Sequence, residues 1–165
     1  MKYLDVEIRD MTMDDLPQVM EIENLCFLHP YKEKDLIYEM TENPVSNVWV
    51  IEYSNASLGL KTIVGFVDYW VTFDSGTICQ IAVHPDIQHS GVGSELLKEV
   101  IKDAYIKKVR TLTLEVRESN EKAIKFYQKH GFVISHKKEG YYSNGENALY
   151  MILEVKDING QDSCY

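Results

Sequence analysis

Cysteine is scarce in this chain: Cys26, Cys79 and Cys164 are the only three in 165 residues, and no two share a paired spacing. That excludes a disulfide framework and the thiolate clusters of structural zinc sites. Cys79 falls inside an apolar strand pattern, and the cysteines read as buried or incidental thiols. His84, Asp86 and His89 share one loop but lack any usual metal-binding spacing, so no metal is expected. Basic residues are outnumbered, 17 Lys and Arg against 26 Asp and Glu, for a formal net charge of −9. Such a chain lacks the basic face that phosphate backbones demand, so no direct nucleic-acid partner is expected. The acidity suits a cationic partner, and it equally suits plain solubility. Long apolar runs are missing too. None nears the ~18 residues of a membrane span, and Met1-Lys2-Tyr3-Leu4-Asp5 carries no apolar leader core, so no membrane association and a cytoplasmic location are expected.

What is present is an apolar content of 45%, enough for one substantial core. The expectation is a single domain over residues 1–155 and a polar tail over 156–165. Lys2 to Arg9 alternates as a strand with one buried face. Thr12-Met13-Asp14-Asp15 resembles a capped helix start, with Pro17 in the first turn and Leu16, Val19, Met20 and Ile22 at helical spacing until Pro30. A second helix over Lys32 to Glu42 stops at Asn43-Pro44. Three strands follow, Asn47 to Tyr53, Thr62 to Phe73 and Thr77 to Val83, with turns at Ser54 to Gly59 and Asp74-Ser75-Gly76. After a loop comes a helix with Val92, Leu96, Leu97, Val100, Ile101 and Ala104 on one face. Thr111 to Val116 alternates as a strand, and Asn120 to His130 forms a helix capped by Gly131. Phe132 to Tyr142 and Ala148 to Val155 pair as a hairpin through Ser143-Asn144-Gly145-Glu146. The order β-α-α-β-β-β-α-β-α-β-β predicts an α/β (α+β) fold on a mixed, mostly antiparallel seven-stranded sheet. Its central βαβ unit makes the strands flanking the third helix parallel neighbours.

The loop in that unit carries the strongest signal. Gln88-His89-Ser90-Gly91-Val92-Gly93 stands between a strand and the N-terminus of an amphipathic helix, where unpaired N–H groups and the positive dipole end attract an anion such as a pyrophosphate. Glycines there let phosphate oxygens approach the backbone closely. A P-loop would need Gly-x-x-x-x-Gly-Lys-Ser/Thr, which no stretch supplies. A dinucleotide fingerprint would need a third glycine where Leu96 stands, and a tight turn where seven residues intervene. Taken alone, two glycines also suit an ordinary loop.

The element order with Gln88-x-x-Gly91-x-Gly93 after the fourth strand resembles the GCN5-related N-acetyltransferase (GNAT) superfamily, across nearly the whole chain. Leu114-Glu115-Val116-Arg117-Glu118-Ser119-Asn120, Ala123-Ile124-x-Phe126-Tyr127-x-x-x-Gly131-Phe132 and Gly140-Tyr141-Tyr142 are similar to the bacterial RimI group. His29-Pro30-Tyr31 is similar to the aromatic bend which that group carries between its first two helices. The resemblance implies an enzyme that takes acetyl-CoA as cosubstrate and acetylates a protein or peptide N-terminus. The expected acceptor is the N-terminal alanine of a small-subunit ribosomal protein, presented on a short basic peptide. It implies Glu115 as general base and Tyr127 as general acid. Cofactor contacts carry over to Ile81, Ala82 and Val83 on the strand, to His89, Ser90, Gly91, Val92, Gly93 and Ser94, and to Asn120, with Gln88 shaping the motif. Tyr31, Tyr141 and Tyr142 would grip the peptide. Ser143 and Asn147 depart from the group's Pro and acid, which bears on substrate choice more than on chemistry.

The residue types suit that chemistry. Acetyl transfer needs a neutral amine, a held carbonyl and a proton for the departing sulfur. Free α-amines titrate near ~8 and lysines near ~10.4, so a modest base is enough for an N-terminus. Glu115 would gain basicity from partial burial. Backbone N–H groups near Ile81 to Val83 would polarise the carbonyl where the strand parts from its neighbour. On residues alone Tyr127 fits a core aromatic and Glu115 a surface acid, while Lys122, Lys125 and Lys129 fit either a phosphate contact or a solvated helix face. Two other functions remain open at this stage: acetylation of a small amine such as a polyamine, aminoglycoside or amino acid, and a catalytically silent acyl-CoA-binding module.

Overall fold

The computed structural model describes residues 5–55 and 59–156. Its elements run β1 (Val6–Asp10), α1 (Leu16–Cys26), α2 (Glu33–Thr41), β2 (Ser46–Asn55), β3 (Leu60–Thr72), β4 (Ser75–Val83), α3 (Val92–Ile106), β5 (Thr111–Arg117), α4 (Glu121–Lys129), β6 (Val133–Lys138) and β7 (Ala148–Glu154). The strands form one seven-stranded sheet in the order β1-β2-β3-β4-β5-β7-β6. The paired registers run antiparallel for β1/β2, β2/β3, β5/β7 and β6/β7, whereas β4 and β5 are parallel, as the connecting helix α3 predicted. Backbone contacts divide the chain into two compact units. One holds the described chain up to Trp70 together with Gln80–Val100; the other holds Val71–Cys79 and the described chain from Ile101. The expected tail, apart from its first residue, and the tip of the turn after Asn55 lie outside the described residues.

In the first unit the apolar stripe of α1 (Leu16, Val19, Ile22) and Leu36 of α2 bury against Val48, Val50, Ile63, Phe66 and Ala82 of the strands. Burying side chains of this size stabilises by about 1.5–3 kcal/mol each before entropy is counted, so the packed stripe holds both helices. The start of α1 is set by Thr12, whose N–H donates to Asp15 Oδ2 at 2.8 Å, with one 3-10 turn at Met13–Asp15 before Leu16. β3 is buried without a break from Ile63 to Tyr69, the mark of a central strand covered on both faces. At Gly65 an added Cβ would lie 2.7 Å from the Ala82 carbonyl oxygen, so only glycine fits there.

In the second unit Leu112, Leu114 and Val116 of β5 are buried while Thr113, Glu115 and Arg117 alternate onto the other, half-exposed face. Two connections differ from the sequence expectation. The β3–β4 turn falls on Phe73-Asp74, because Ser75 and Gly76 already pair with Thr111 and Leu112, and Phe73 takes φ +53. β6 ends at Lys138 rather than Tyr142, because Gly140 adopts φ +59 and turns the chain out of the sheet. Tyr141 and Tyr142 therefore belong to a loop, which Gly145, at φ +83, returns to β7.

Candidate active site

The loop after β4 is built around backbone donors. His89 and Gly91 take φ +66 and +91, and space is open where a Gly91 Cβ would stand. The first bond reaching back into the start of α3 runs from Glu95 N–H to the Gly91 carbonyl at 3.1 Å. The N–H groups of Val92, Gly93 and Ser94 are therefore left at the helix start without an intrahelical acceptor, beside the positive end of a 15-residue helix. This set fits the pyrophosphate of acetyl-CoA: three backbone donors at a helix start, and a bare Cα at the entry. Gln88 anchors the loop, donating through Nε2 to the Val83 carbonyl at 3.2 Å, and Ser90 Oγ donates to the Ile87 carbonyl at 2.6 Å. Ile81 and Val83 are half-buried on β4, while Ala82 is buried. Asn120 is the N-cap of α4, its Oδ1 accepting from Ala123 N–H at 3.2 Å. Lys122, Lys125 and Lys129 are exposed on α4.

Within the second unit, the parallel ladder between β4 and β5 covers three pairs, ending at Thr77 with Thr113. Beyond it the strands enclose a cleft of about 310 Å³ lined by Thr77, Ile78, Cys79, Thr113, Leu114, Glu115, Tyr141 and Tyr150. Glu115 stands in this cleft half-buried, as expected. Its carboxylate is paired with the Lys138 ammonium, and a hydrogen bond to it pushes the Tyr141 phenol up to about 12. Tyr150 sits opposite Glu115 in register on β7, and His136 stacks on it at 4.7 Å. Lys138 also lies 5.2 Å from the Tyr141 ring centre and 5.0 Å from that of Tyr150.

Tyr127 packs edge-on to Phe126 and Phe132, with ring centres 5.4 and 5.7 Å away. Burial raises its phenol above the ordinary tyrosine range, so it holds its proton at neutral pH. No hydrogen bond joins it to Glu115 among the described residues. Tyr142 lies under the Arg117 guanidinium at 3.8 Å, and Arg117 in turn binds Glu146 Oε2 at 2.9 Å. Ser119 and Arg117 together hold Glu146 down to about 2. Asn147 stitches the same loop: its Oδ1 accepts from Gly140 N–H and its Nδ2 donates to Glu118 Oε2, both at 2.9 Å. An acid at 147 could not make the second bond. The amide thus belongs to the loop's own scaffold.

Three polar groups make contacts that went unread in the sequence. Glu23 is buried on the apolar face of α1, accepting from Tyr31 N–H at 2.5 Å and from Gln80 Nε2 at 2.9 Å, so it fixes the bend that carries Tyr31. Its place one helical turn after Val19, inside the apolar stripe, was a legible signal. Asp68 is fully buried on β3 beside Ser46, and burial pushes its carboxyl up to about 7. Lys138 had no signal, because a register shift in β6 between Ile134 and His136 decides which lysine faces Glu115.

Comparison with known proteins gives the family. Residues 16–132 match the model of the Acetyltransferase (GNAT) family. The [Ribosomal protein bS18]-alanine N-acetyltransferase of Escherichia coli strain K12 is 32% identical over 152 residues, covering 90% of this chain and 97% of that protein. Its namesake from Salmonella typhimurium is 32% identical over 149 residues, covering 88% and 95%. The crystal structure of the ribosomal-protein-S18-alanine N-acetyltransferase from Escherichia coli superposes with a TM-score of 0.79 at 28% identity, over 97% of this chain and 99% of that one. With its strand order, its donor-rich loop before α3 and this coverage, the chain belongs to the GNAT family of acetyl-CoA-dependent N-acetyltransferases.

Proposed function

We propose that this enzyme acetylates the α-amine of a protein N-terminus, with a basic peptide beginning in alanine, such as that of the ribosomal protein its relatives are named for, as the acceptor. The observation that carries the reading is the cleft at Glu115: one carboxylate flanked by Tyr141 and Tyr150, open beside the end of the β4/β5 ladder. An acidic, aromatic pocket of this kind receives a cationic amine and then takes its proton.

Acetyl-CoA supplies a thioester carbonyl as electrophile. The donors of Val92, Gly93 and Ser94 hold its pyrophosphate, and Gln88 keeps the loop in shape. Glu115 removes the proton from the acceptor's ammonium. As the amine nitrogen bonds to the carbonyl carbon, the carbon–sulfur bond breaks and Tyr127 gives its phenol proton to the sulfur; the nitrogen's second proton leaves as the amide forms and restores the Tyr127 phenol through solvent, while Glu115 releases its own proton to water. A phenol raised by burial remains a donor throughout the neutral range, which suits it to the acid's part. Tyr142, clamped by Arg117 in the same unit as Glu115, would line the peptide's path.

Glu115→Gln tests this assignment. Turnover on an alanine-initiated peptide is expected to fall about 10²–10⁴-fold, the usual worth of a general base. Acetyl-CoA affinity, measured by calorimetry, should stay within about threefold. Turnover near that of the unmodified enzyme would remove Glu115 from the mechanism.

A further inference from the structure

The contacts of Lys138 place an ammonium where the reaction needs one. Its Nζ is paired with Glu115 and lies 5.2 and 5.0 Å from the ring centres of Tyr141 and Tyr150. A carboxylate with two aromatic faces is a recognition site for an alkylammonium group, and here the chain fills it with its own side chain. The placement depends on one backbone irregularity. The register of β6 against β7 shifts between Ile134 and His136, so His136 rather than Ser135 stands opposite Tyr150. Two residues on, Lys138 shares that face, while Lys137 turns to the other and pairs with Glu118. Without the shift the two lysines would exchange roles.

We propose that Glu115, Tyr141 and Tyr150 form an ammonium seat which Lys138 occupies in the resting enzyme and which the acceptor's α-ammonium takes over. Lys138 is thereby an internal competitor that sets acceptor affinity. The proposal rests on the reading of Glu115 as the residue that meets the acceptor amine. The pair is suited to exchange: the Lys138 side chain is 34% exposed and that of Glu115 26%, so water screens the bond and a second cation displaces it at small cost. Lys138 also lies at the end of an edge strand whose residues are otherwise exposed, so its stem can swing out without unpacking a core.

Two measurements test the seat. In steady-state kinetics with an alanine-initiated basic peptide, Lys138→Met keeps the stem and removes the charge; its peptide KM is expected to drop about 3- to 5-fold, with kcat changing less. Lys138→Arg keeps a cation and is expected to restore the original KM. A KM for Lys138→Met that is unchanged or higher, or an Arg variant that behaves like the Met variant, overturns the proposal. The second measurement uses the unmodified enzyme: reductive methylation of Lys138, read by mass spectrometry with CoA present. A peptide with a free N-terminus should raise labelling severalfold over an acetyl-blocked copy; equal labelling overturns the displacement. Failure of the parent reading looks different, since Glu115→Gln would then keep its turnover whatever Lys138 does.

Discussion

At the scale of single residues, the proposed chemistry divides between a carboxylate in an open cleft and a phenol packed among aromatic rings. Glu115 shares its cleft with Tyr141 and Tyr150, whereas Tyr127 is packed among Phe126 and Phe132 with its proton held by burial. Tyr127→Phe keeps the ring packing and removes only the donor. We expect turnover to fall by ~10²-fold or more with thermal stability nearly unchanged, measured by acetylation rate alongside a melting curve. A variant that melts early with little loss of turnover would return Tyr127 to the core. Both residues were legible as candidates from Leu-Glu-Val-Arg and Ala-Ile-x-Phe-Tyr, but their contact partners were not. Sequence alternation put Glu115 opposite the buried side of β5 and no further; its partners come from β6, β7 and a loop, all distant in sequence.

At the scale of elements, two glycines carry the argument. Gly91 opens α3 at φ +91 with clear space around it, so a side chain there is penalised by backbone conformation alone. Gly91→Ala is expected to raise the KM for acetyl-CoA about 5- to 10-fold while leaving the melting temperature within a few degrees, because the loop is exposed. Gly65 is the reverse case. A methyl group there meets the Ala82 carbonyl oxygen at 2.7 Å and the Ile51 Cγ2 at 3.0 Å, so Gly65→Ala should destabilise by about 1–3 kcal/mol in urea unfolding. Gly91 was legible because its motif sits at a predicted helix start. Gly65 was not, since close strand approach leaves no local pattern. Element type and order were readable throughout because the 2.0 and 3.6 periods are local. The end of β6, the position of the β3–β4 turn and the β6 register shift were missed because non-local pairing decides them.

At the scale of the whole molecule, the acidic balance includes carboxyls that behave in opposite ways with pH. Asp15 and Glu52 are held below the usual carboxylate range by Arg9, which binds Asp15 through both oxygens at 2.7 and 2.8 Å and Glu52 at 2.7 Å. Their stabilisation is present above about pH 4 and is lost as pH falls through their lowered values. Asp68 runs the other way: burial raises it to about 7, reinforced by Glu39 and Glu23, with Ser46 opposing. Below about pH 4 the folded and unfolded states both hold its proton. Between about 4 and 7 only the folded state does, so stability declines as pH rises through that window, by on the order of 4 kcal/mol. Asp68→Asn keeps an acceptor for Ser46 and abolishes this titration. Urea unfolding at pH 5 and pH 8 should show a smaller loss in the variant than in the unmodified enzyme, with acid unfolding below pH 4 unaltered. Equal pH dependence in the two would show that Asp68 is ionised in the fold.

The central claim is that the acceptor is an N-terminal amine. It is tested most directly by incubating the enzyme and acetyl-CoA with two basic peptides, one with a free N-terminal alanine and one blocked there but containing internal lysines, and reading both by mass spectrometry. The account predicts a mass gain of one acetyl group on the free terminus and none on the blocked peptide. Acetylation confined to lysines, or a reaction with polyamines while both peptides remain unchanged, would contradict it.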